Sequence, residues 1–459
     1  MLGKVLQRFV EQSPVTVMVG SILERVLNPE LLNELFECAA ERQYTRELLF
    51  STVFDLLSQV VCGMQGSIHA AYQASRTEVS VSLTSVYNKL NGLEPGIAAA
   101  LVRYTAHELV PVITELGGER APVVQGYRTK IVDGNCLAAT AHRLKELRQT
   151  AAGPLPGKSL VVLDPARRLI LDVVPWEDGY VQERALVGQI LDRVEAGELW
   201  LADRNFCTRA ILFGLVERGA TFIIRQHQAL PWEALGPLQE VGQSESGRVW
   251  EQPCRVVAED GRELRLRRVQ LQLDRPTREG ETEINLLTPL PRTELGAPQV
   301  AEAYGGGWTI EGAFQDLTTQ LRCELNTLGY PRAALCGFCV AVVAYNALAV
   351  VLAALRAVHG AEKIDTEVSG YYLADELAGT YWGMRIAIPP HHWRVFRQMR
   401  VPQFAAVLLF LAQGVQLTAY RKHRRGPKKP RPKRRYDKHH PHVSTARLIA
   451  QRKIQISSP

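Results

Sequence analysis

This sequence is sparing with cysteine, has no second metal-ligand pair and has no leader-like start. Each absence removes a class of protein. Eight cysteines, at 38, 62, 136, 207, 254, 323, 336 and 339, are scattered over 459 residues. Most lie in apolar runs such as Val60-Val61-Cys62. That suits reduced, buried thiols of a cytosolic protein and excludes a disulfide scaffold. Cys336-Gly337-Phe338-Cys339 has the C-x-x-C spacing. It falls inside a long apolar helical run, not at a strand-to-helix turn, so no redox role is expected. No further ligand pair has the spacing of a zinc site. Met1 to Arg8 lacks a continuous apolar core and a small-residue cleavage site, so no signal peptide is expected. With 46% hydrophobic and 22% charged residues, whole-chain disorder and collagen are excluded. At about 100–200 residues per domain, two to four domains are expected.

Acids are what the C-terminal stretch lacks. From Arg421 onward there are 14 Lys and Arg against one acid, Asp437, a balance of +13. The other 420 residues keep 40 of the 54 bases and 46 of the 47 acids, a balance of −6. An acidic body with a basic tail points to a polyanionic partner, nucleic acid or an anionic membrane. Leu335 to Leu355 is nearly uncharged and long enough to span a bilayer, which takes about 20 residues. Its alanines and Asn346 suit a central helix of a large soluble protein equally well. Phe404 to Leu417 is short for a span.

The periodicity changes along the chain. Residues 1–120 are mostly helical, as in Pro29 to Phe36 and Ile97 to Leu109, and Val79 to Leu90 has the look of the end of a helix-turn-helix. Lys130-Ile131-Val132-Asp133 reads as a buried strand ending in an acid. Ser159 to Leu163 and Leu169 to Val174 read as two more strands joined by a turn at Asp164-Pro165. Val181 to Val194 has helical spacing, with Leu186, Ile190 and Val194 on one face. Glu198 to Asp203 is a fourth strand that again ends in an acid. A helix over Thr208 to Glu217 and a strand over Ala220 to Arg225 follow. Residues 226–298 alternate with period two, most clearly over Leu264 to Leu273. A helix is then predicted from Trp308 through Leu325, carrying Glu311, with further helices over 333–420.

Acids at the ends of paired strands, joined by one on a helix over the sheet, repel one another and need cations. Carboxylate oxygens suit Mg²⁺ or Mn²⁺. Two such ions about 3.5–4 Å apart activate an attacking oxygen and stabilise the leaving one, which is the chemistry of phosphodiester cleavage and strand transfer. Taken singly, each acid reads equally as a solvated strand end or helix face.

Three segments together carry a resemblance. They are Ile131-Val132-Asp133-Gly134, Leu201-Ala202-Asp203-Arg204-Asn205-Phe206, and Tyr304-x-x-x-Trp308-Thr309-Ile310-Glu311-x-x-Phe314-x-x-Leu317 followed by Asn326-Thr327-Leu328-Gly329-Tyr330-Pro331. Asp203 lies 70 residues after Asp133, and Glu311 lies 108 after Asp203. The chain resembles bacterial insertion-sequence transposases of the DDE type, specifically the IS-four group with its Tyr-Arg-Glu-Lys signature. The resemblance runs from Ile131 to about Leu352.

The resemblance implies an α+β, multidomain fold. Its parts are a helical N-terminal DNA-binding domain (1–120), a ribonuclease-H-like α/β catalytic core (121–225 and 299–332), a β-rich insertion (226–298), a helical C-terminal region (333–420) and a disordered basic tail (421–459). It implies Asp133, Asp203 and Glu311 as catalytic ligands of two Mg²⁺ ions. It also implies cut-and-paste transposition in the bacterial cytosol, by a homodimer that holds the terminal inverted repeats and target DNA and does not enter a membrane. Arg204, Asn205, Tyr304 and Trp308 are candidate DNA contacts. In the tail, Lys428, Lys429, Arg434 and Arg435 suit sequence-independent phosphate contact. Trp232 and Trp250, in the insertion, fit either a flipped base or core packing. His439, His440 and His442 read as more of the tail.

The sequence departs from the signature in two places. Gly307 stands where the signature has Arg, and Thr318 where it has Lys, with Arg322 one turn beyond as a possible substitute. Three readings therefore stand open: a transposase, a ribonuclease-H-like nuclease without strand transfer, and a DNA-binding copy without catalysis.

Overall fold

The computed structural model describes residues 4–45, 47–137, 154–277, 280–306, 309–325, 327–423 and 443–457. Seven helices open the chain: α1 (Lys4–Gln12), α2 (Pro14–Val26), α3 (Pro29–Ala39), α4 (Phe50–Val61), α5 (Ile68–Ala74), α6 (Leu83–Gly92) and α7 (Pro95–Leu116). Local chemistry sets their ends. The Asn28 side chain accepts the Leu31 N–H with Pro29 at the first helical position, Ser82 accepts the Ser85 N–H, and α7 stops at Gly117, whose φ is 65°. The helix-turn-helix expectation falls on α5 and α6, two separate short helices.

The strands are β1 (Arg128–Leu137), β2 (Pro154–Leu155), β3 (Gly157–Asp164), β4 (Leu169–Trp176), β5 (Glu198–Ala202), β6 (Thr221–Arg225), β7 (Glu233–Ala234), β8 (Gln239–Ser244), β9 (Gly247–Val257), β10 (Glu263–Leu273), β11 (Glu283–Thr288) and β12 (Val443–Ser444). The main sheet runs β4-β3-β1-β5-β6, with β1, β3 and β4 antiparallel neighbours and β5 and β6 parallel to β1. This is the ribonuclease-H-like arrangement. Beyond β6 the same sheet continues through β11, β10 and β9, so the inserted strands extend the core sheet. The join is narrow: only Leu286 and Leu287 of β11 pair with Arg225 and Ile224 of β6.

Strict alternation explains why the core strands are apolar throughout. Ile131, Leu199, Leu201 and Ile223 pack into one core, and Val132, Trp200, Ala202, Phe222 and Ile224 into the other. One face carries α12 (Pro331–His359), α7, α10 (Ala297–Gly306) and α11 (Thr309–Thr319). The other carries α8 (Gly188–Leu191) and α9 (Arg209–Glu217). The N-terminal helices share the first core with α12, α13 (Ala361–Glu367), α14 (Gly370–Ala387) and α15 (Val401–Gln413).

Helix α12 is long and apolar enough to cross a membrane, and 89% of its most apolar window is buried in protein. Its polar residue has a structural use. Asn346 is fully buried, accepts the Ile170 N–H at 2.9 Å and donates to the Ile170 carbonyl at 2.8 Å. β4 is an edge strand, so Asn346 supplies the pairing that a neighbouring strand would otherwise give. Cys336 and Cys339 are sealed in the same helix, and burial pushes the Cys336 thiol up to about 12.

Three expectations need correction. The continuous helix over 181–194 is a 3-10 turn at Glu183–Ala185 followed by the four residues of α8. Leu186 and Ile190 are buried as expected, but Gly188 interrupts the run and Glu183 turns toward β1. The helix carrying Glu311 ends at Thr319, six residues early, where Thr318 and Thr319 bond back to the Phe314 and Gln315 carbonyls. The tail is not disordered throughout. β12 pairs in parallel with β2, α16 (Thr445–Ser457) follows, and Arg447 meets Asp178 at 2.7 Å. Residues 424–442, with Lys428, Lys429, Arg434, Arg435 and the three histidines, lie outside the described residues.

The clamp on β4 makes a stability prediction. Asn346→Leu keeps the volume but leaves the Ile170 N–H and carbonyl buried without partners, a loss of about 2–4 kcal/mol. Urea unfolding of the two chains measures it, and equal stabilities would remove the clamp from the account.

Candidate active site

The parallel register between β1 and β5 pairs Ile131 with Leu201 and Val132 with Ala202. The next residue of each chain is an acid, so Asp133 and Asp203 emerge side by side at one sheet edge. By alternation they follow Ile131 and Leu201 onto the face covered by α10 and α11. Together with Tyr304 and Ile310 they line one small recess. Glu311 lies in the first turn of α11, exposed at the same place.

Charge records this convergence. Burial, then the neighbouring Asp203, Glu183 and Glu311 carboxylates, push the Asp133 carboxyl up to about 7, against a 2.7 Å hydrogen bond from the Gly134 N–H. Burial and Glu183 raise Asp203 too, opposed by the Asn205 N–H at 2.7 Å and by the charges of Arg204 and Arg225. The Tyr304 hydroxyl is also raised, first by burial.

A divalent cation is what such a donor set suits. The oxygens are hard, and a cation there would offset both the burial and the repulsion that lift Asp133. Among the described residues, however, no three His, Cys, Asp or Glu side chains are arranged to hold a metal ion. Asp133 and Asp203 are brought together, and Glu311 reaches Asp133 through charge.

α11 is anchored from below. Arg168, at the turn between β3 and β4, reaches Asp316 at 2.8 Å, and Asp316 also accepts from Gln320 at 2.6 Å. Arg168 has a left-handed φ of 54°, a costly conformation for a residue with a side chain.

The remaining candidates separate. Arg204 Nη1 meets Glu281 at 2.9 Å, and Asn205 Nδ2 lies 3.5 Å from Glu183. Tyr304 sits beside the aspartates. Trp308 and Gly307 lie outside the described residues. Arg322 does not replace the signature cation at the acids. It donates to the Gln65 carbonyl at 3.2 Å, and its backbone N–H bonds to Val61, tying it to the loop between α4 and α5. Trp232 and Trp250 each lie under an arginine of the insertion, Arg268 at 5.0 Å and Arg248 at 5.8 Å.

Sequence reasoning missed four residues. Glu183 comes from the opposite face of the sheet and lies against Gly134, where a Cβ would stand 2.2 Å from its carboxylate. Lys158 holds it at 3.3 Å. Arg225 and Glu281 are paired at 2.6 Å beside Asp203. A cleft of about 710 Å³ opens on that opposite face, with Lys158, Arg184, Arg204, Arg209 and His227 in its walls. The one available signal was that β6 ends in Arg at the level of Asp133 in β1 and of Asp203 just after β5.

Residues 126–347 match a protein family described as transposase DDE domain. No curated protein matches the chain. The cryo-EM structure of the piggyBac transposase synaptic complex with hairpin DNA resembles the chain over 86% of each, at 10% identity and a TM-score of 0.35, too low to bear on the fold. The family match contains Asp133, Asp203, Tyr304 and Glu311, and it supports a DNA transposase.

Proposed function

We propose that this chain is a cut-and-paste DNA transposase of the IS-four type, acting on the ends of an insertion sequence. The observation that carries the reading is the pair Asp133 and Asp203, at the level where the parallel pairing of β1 with β5 ends, inside the matched segment, with Glu311 on the helix above. Asp133, Asp203 and Glu311 would hold Mg²⁺, with Mn²⁺ as the alternative. When bound, a pair of such ions supplies Lewis-acid activation of the attacking oxygen and stabilises the leaving one. The chain's own groups do the rest. Asp133, with its carboxyl pushed up to about 7, is ionised above that pH and would then be able to hold a cation. Tyr304 walls the recess, and Arg204, Arg225 and Asn205 act on Asp203, where they would meet a phosphate. In this reading the N-terminal helices recognise terminal inverted repeats, the basic stretch from Arg421 holds DNA without sequence preference, and a homodimer brings two ends together in the bacterial cytosol, away from membranes.

One observation favours the second reading, a DNA-binding protein without catalysis. Thr318 stands where the signature has Lys, and it turns its hydroxyl to its own helix.

Purified full-length chain, given DNA that carries the element's ends and Mg²⁺, is expected to nick the ends and join them to a target. Asp133→Ala, Asp203→Ala or Glu311→Ala each lowers nicking by a factor of about 10³ or more while DNA binding persists. Nicking without joining selects the plain nuclease. No nicking by the unaltered chain selects the binding protein.

The raised Asp133 carboxyl gives a pH prediction with a definite sign. In the folded chain it keeps its proton up to about 7, whereas the unfolded chain releases it near 3.8. Without divalent ions this group therefore costs folded-state stability as pH rises through that window. Asp133→Asn removes the cost, so urea unfolding is expected to show the variant gaining on the natural chain from pH 4 to 7 and holding the gain above. Added Mg²⁺ at pH 8 raises the melting temperature of the natural chain and not of Asp133→Asn. Parallel pH curves would take Asp133 out of the acid cluster.

A further inference from the structure

We infer that Arg204 and Arg225 form a phosphate-binding clamp at the acid edge of the sheet, and that Glu281 fills it as an internal anion until a DNA phosphate takes its place. The inference rests on the proposed action on DNA and adds the site, its ligand chemistry and its occupant.

Topology puts the three residues together. β1, β5 and β6 are parallel, so their C-terminal ends share one edge. Asp203 and Arg225 emerge there, level with Asp133, which lies within β1 just past its last pair with β5. β11 runs antiparallel to β6, with Leu286 opposite Arg225. The chain that precedes β11 therefore lies beyond the end of β6, over the same edge. Glu281 is in that chain, in the connection between β10 and β11.

The contacts imitate a phosphate. Arg225 Nη2 meets Glu281 Oε2 at 2.6 Å, and Arg204 Nη1 meets Oε1 at 2.9 Å. Each carboxylate oxygen takes one guanidinium, as two oxygens of a phosphodiester do. Glu281 is held in place by its own backbone. Its N–H donates to Thr277 Oγ1 at 3.1 Å, its carbonyl accepts the Thr277 N–H at 2.7 Å, and Gly280 supplies a φ of 89°. The Arg225 side chain is only 14% exposed, and no other acid is paired with either arginine among the described residues. Both arginine charges act on Asp203, which sets the clamp beside the reacting position.

The charge count leaves room for exchange. Two guanidiniums face one carboxylate, so the clamp stays net positive. The Arg204–Glu281 pair is half-exposed, and exposed pairs hold weakly. A DNA phosphate that releases counterions has the advantage over it. The clamp also answers the two signature departures, because it supplies cations beside Asp203 in a chain that has Gly307 and Thr318 at the signature's Arg and Lys positions.

The rival explanation is a tie that merely fastens the hairpin to the core. Binding of the full-length chain to a short fluorescent DNA duplex, without divalent ions, separates the two. Glu281→Gln is expected to bind about three- to tenfold more tightly. Arg225→Gln and the exposed Arg204→Gln are expected to bind several-fold more weakly. In the double variant Arg225→Gln with Glu281→Gln the gain disappears. Glu283→Gln, on the same hairpin, controls for the bare loss of a negative charge. A gain from Glu283→Gln equal to that from Glu281→Gln, or unchanged binding in Glu281→Gln, overturns the clamp. If Glu281→Gln fails to fold, Arg204→Gln alone decides, and unchanged binding there overturns it as well. If the unaltered chain binds no DNA, the transposase reading fails with it. If that chain binds and the variants match it, the clamp alone is lost.

Discussion

The parallel pairing of β1 with β5 is the constraint on which the candidate site depends. Two strands that run side by side in one direction keep their register, so the residues after Val132 and Ala202 are neighbours by construction. Placing an acid at both positions sets like charges together, which is unfavourable without a cation. The register resists that repulsion because it is fixed from both faces. A slip of one residue in β5 would turn Leu199 and Leu201 out of one core and Trp200 and Ala202 out of the other. The packing of the whole core sheet thus holds a local arrangement that would otherwise spread apart.

The third acid depends on a chain of contacts that begins far from it. α12 is the buried spine of the helical layer, and Asn346 fastens it to the free edge of β4. The turn that joins β3 to β4 carries Arg168, which is held in a left-handed conformation and reaches Asp316 on α11. Glu311 is one and a half turns before Asp316 on the same helix. The unfavourable backbone at Arg168 persists because its guanidinium orients the helix that brings Glu311 over the sheet. The polar residue that makes α12 unlike a membrane helix is therefore the first link in positioning an acid of the site.

The parts legible in the sequence are those written by burial. The core strands are packed on both faces, so they read as short apolar runs, and the acids at their ends stand out against them. The inserted strands alternate because they are half-solvated, and β10 was readable for that reason. What stayed hidden depends on residues distant in the chain. Glu183 looks like the exposed face of a helix until Gly134 is placed beneath it. Arg225 and Glu281 belong to separate elements, and only the pairing of β6 with β11 brings them together. The anchoring of residues 443–457 rests on two strand residues and one ion pair, too little local pattern to read through a basic composition.

Range settles how the unlike charges of the chain work together. At physiological salt a charge is screened within about 8 Å. The −6 of the body is spread over 420 residues, so in the proposed reading a DNA backbone at the sheet edge meets only the few groups within that distance. Those groups are mixed: Asp133, Asp203 and Glu311 on one side, Arg204 and Arg225 on the other. In the proposed reading the basic composition from Arg421 adds attraction without sequence preference. Registration has to come from cations on rigid elements. Arg225 ends a core strand and is largely buried, so it loses little freedom when it binds, unlike a lysine on an exposed helix face. In the proposed reading, such a site tolerates Gly307 and Thr318 at the signature's cation positions, provided that the sheet edge holds its arginines in place.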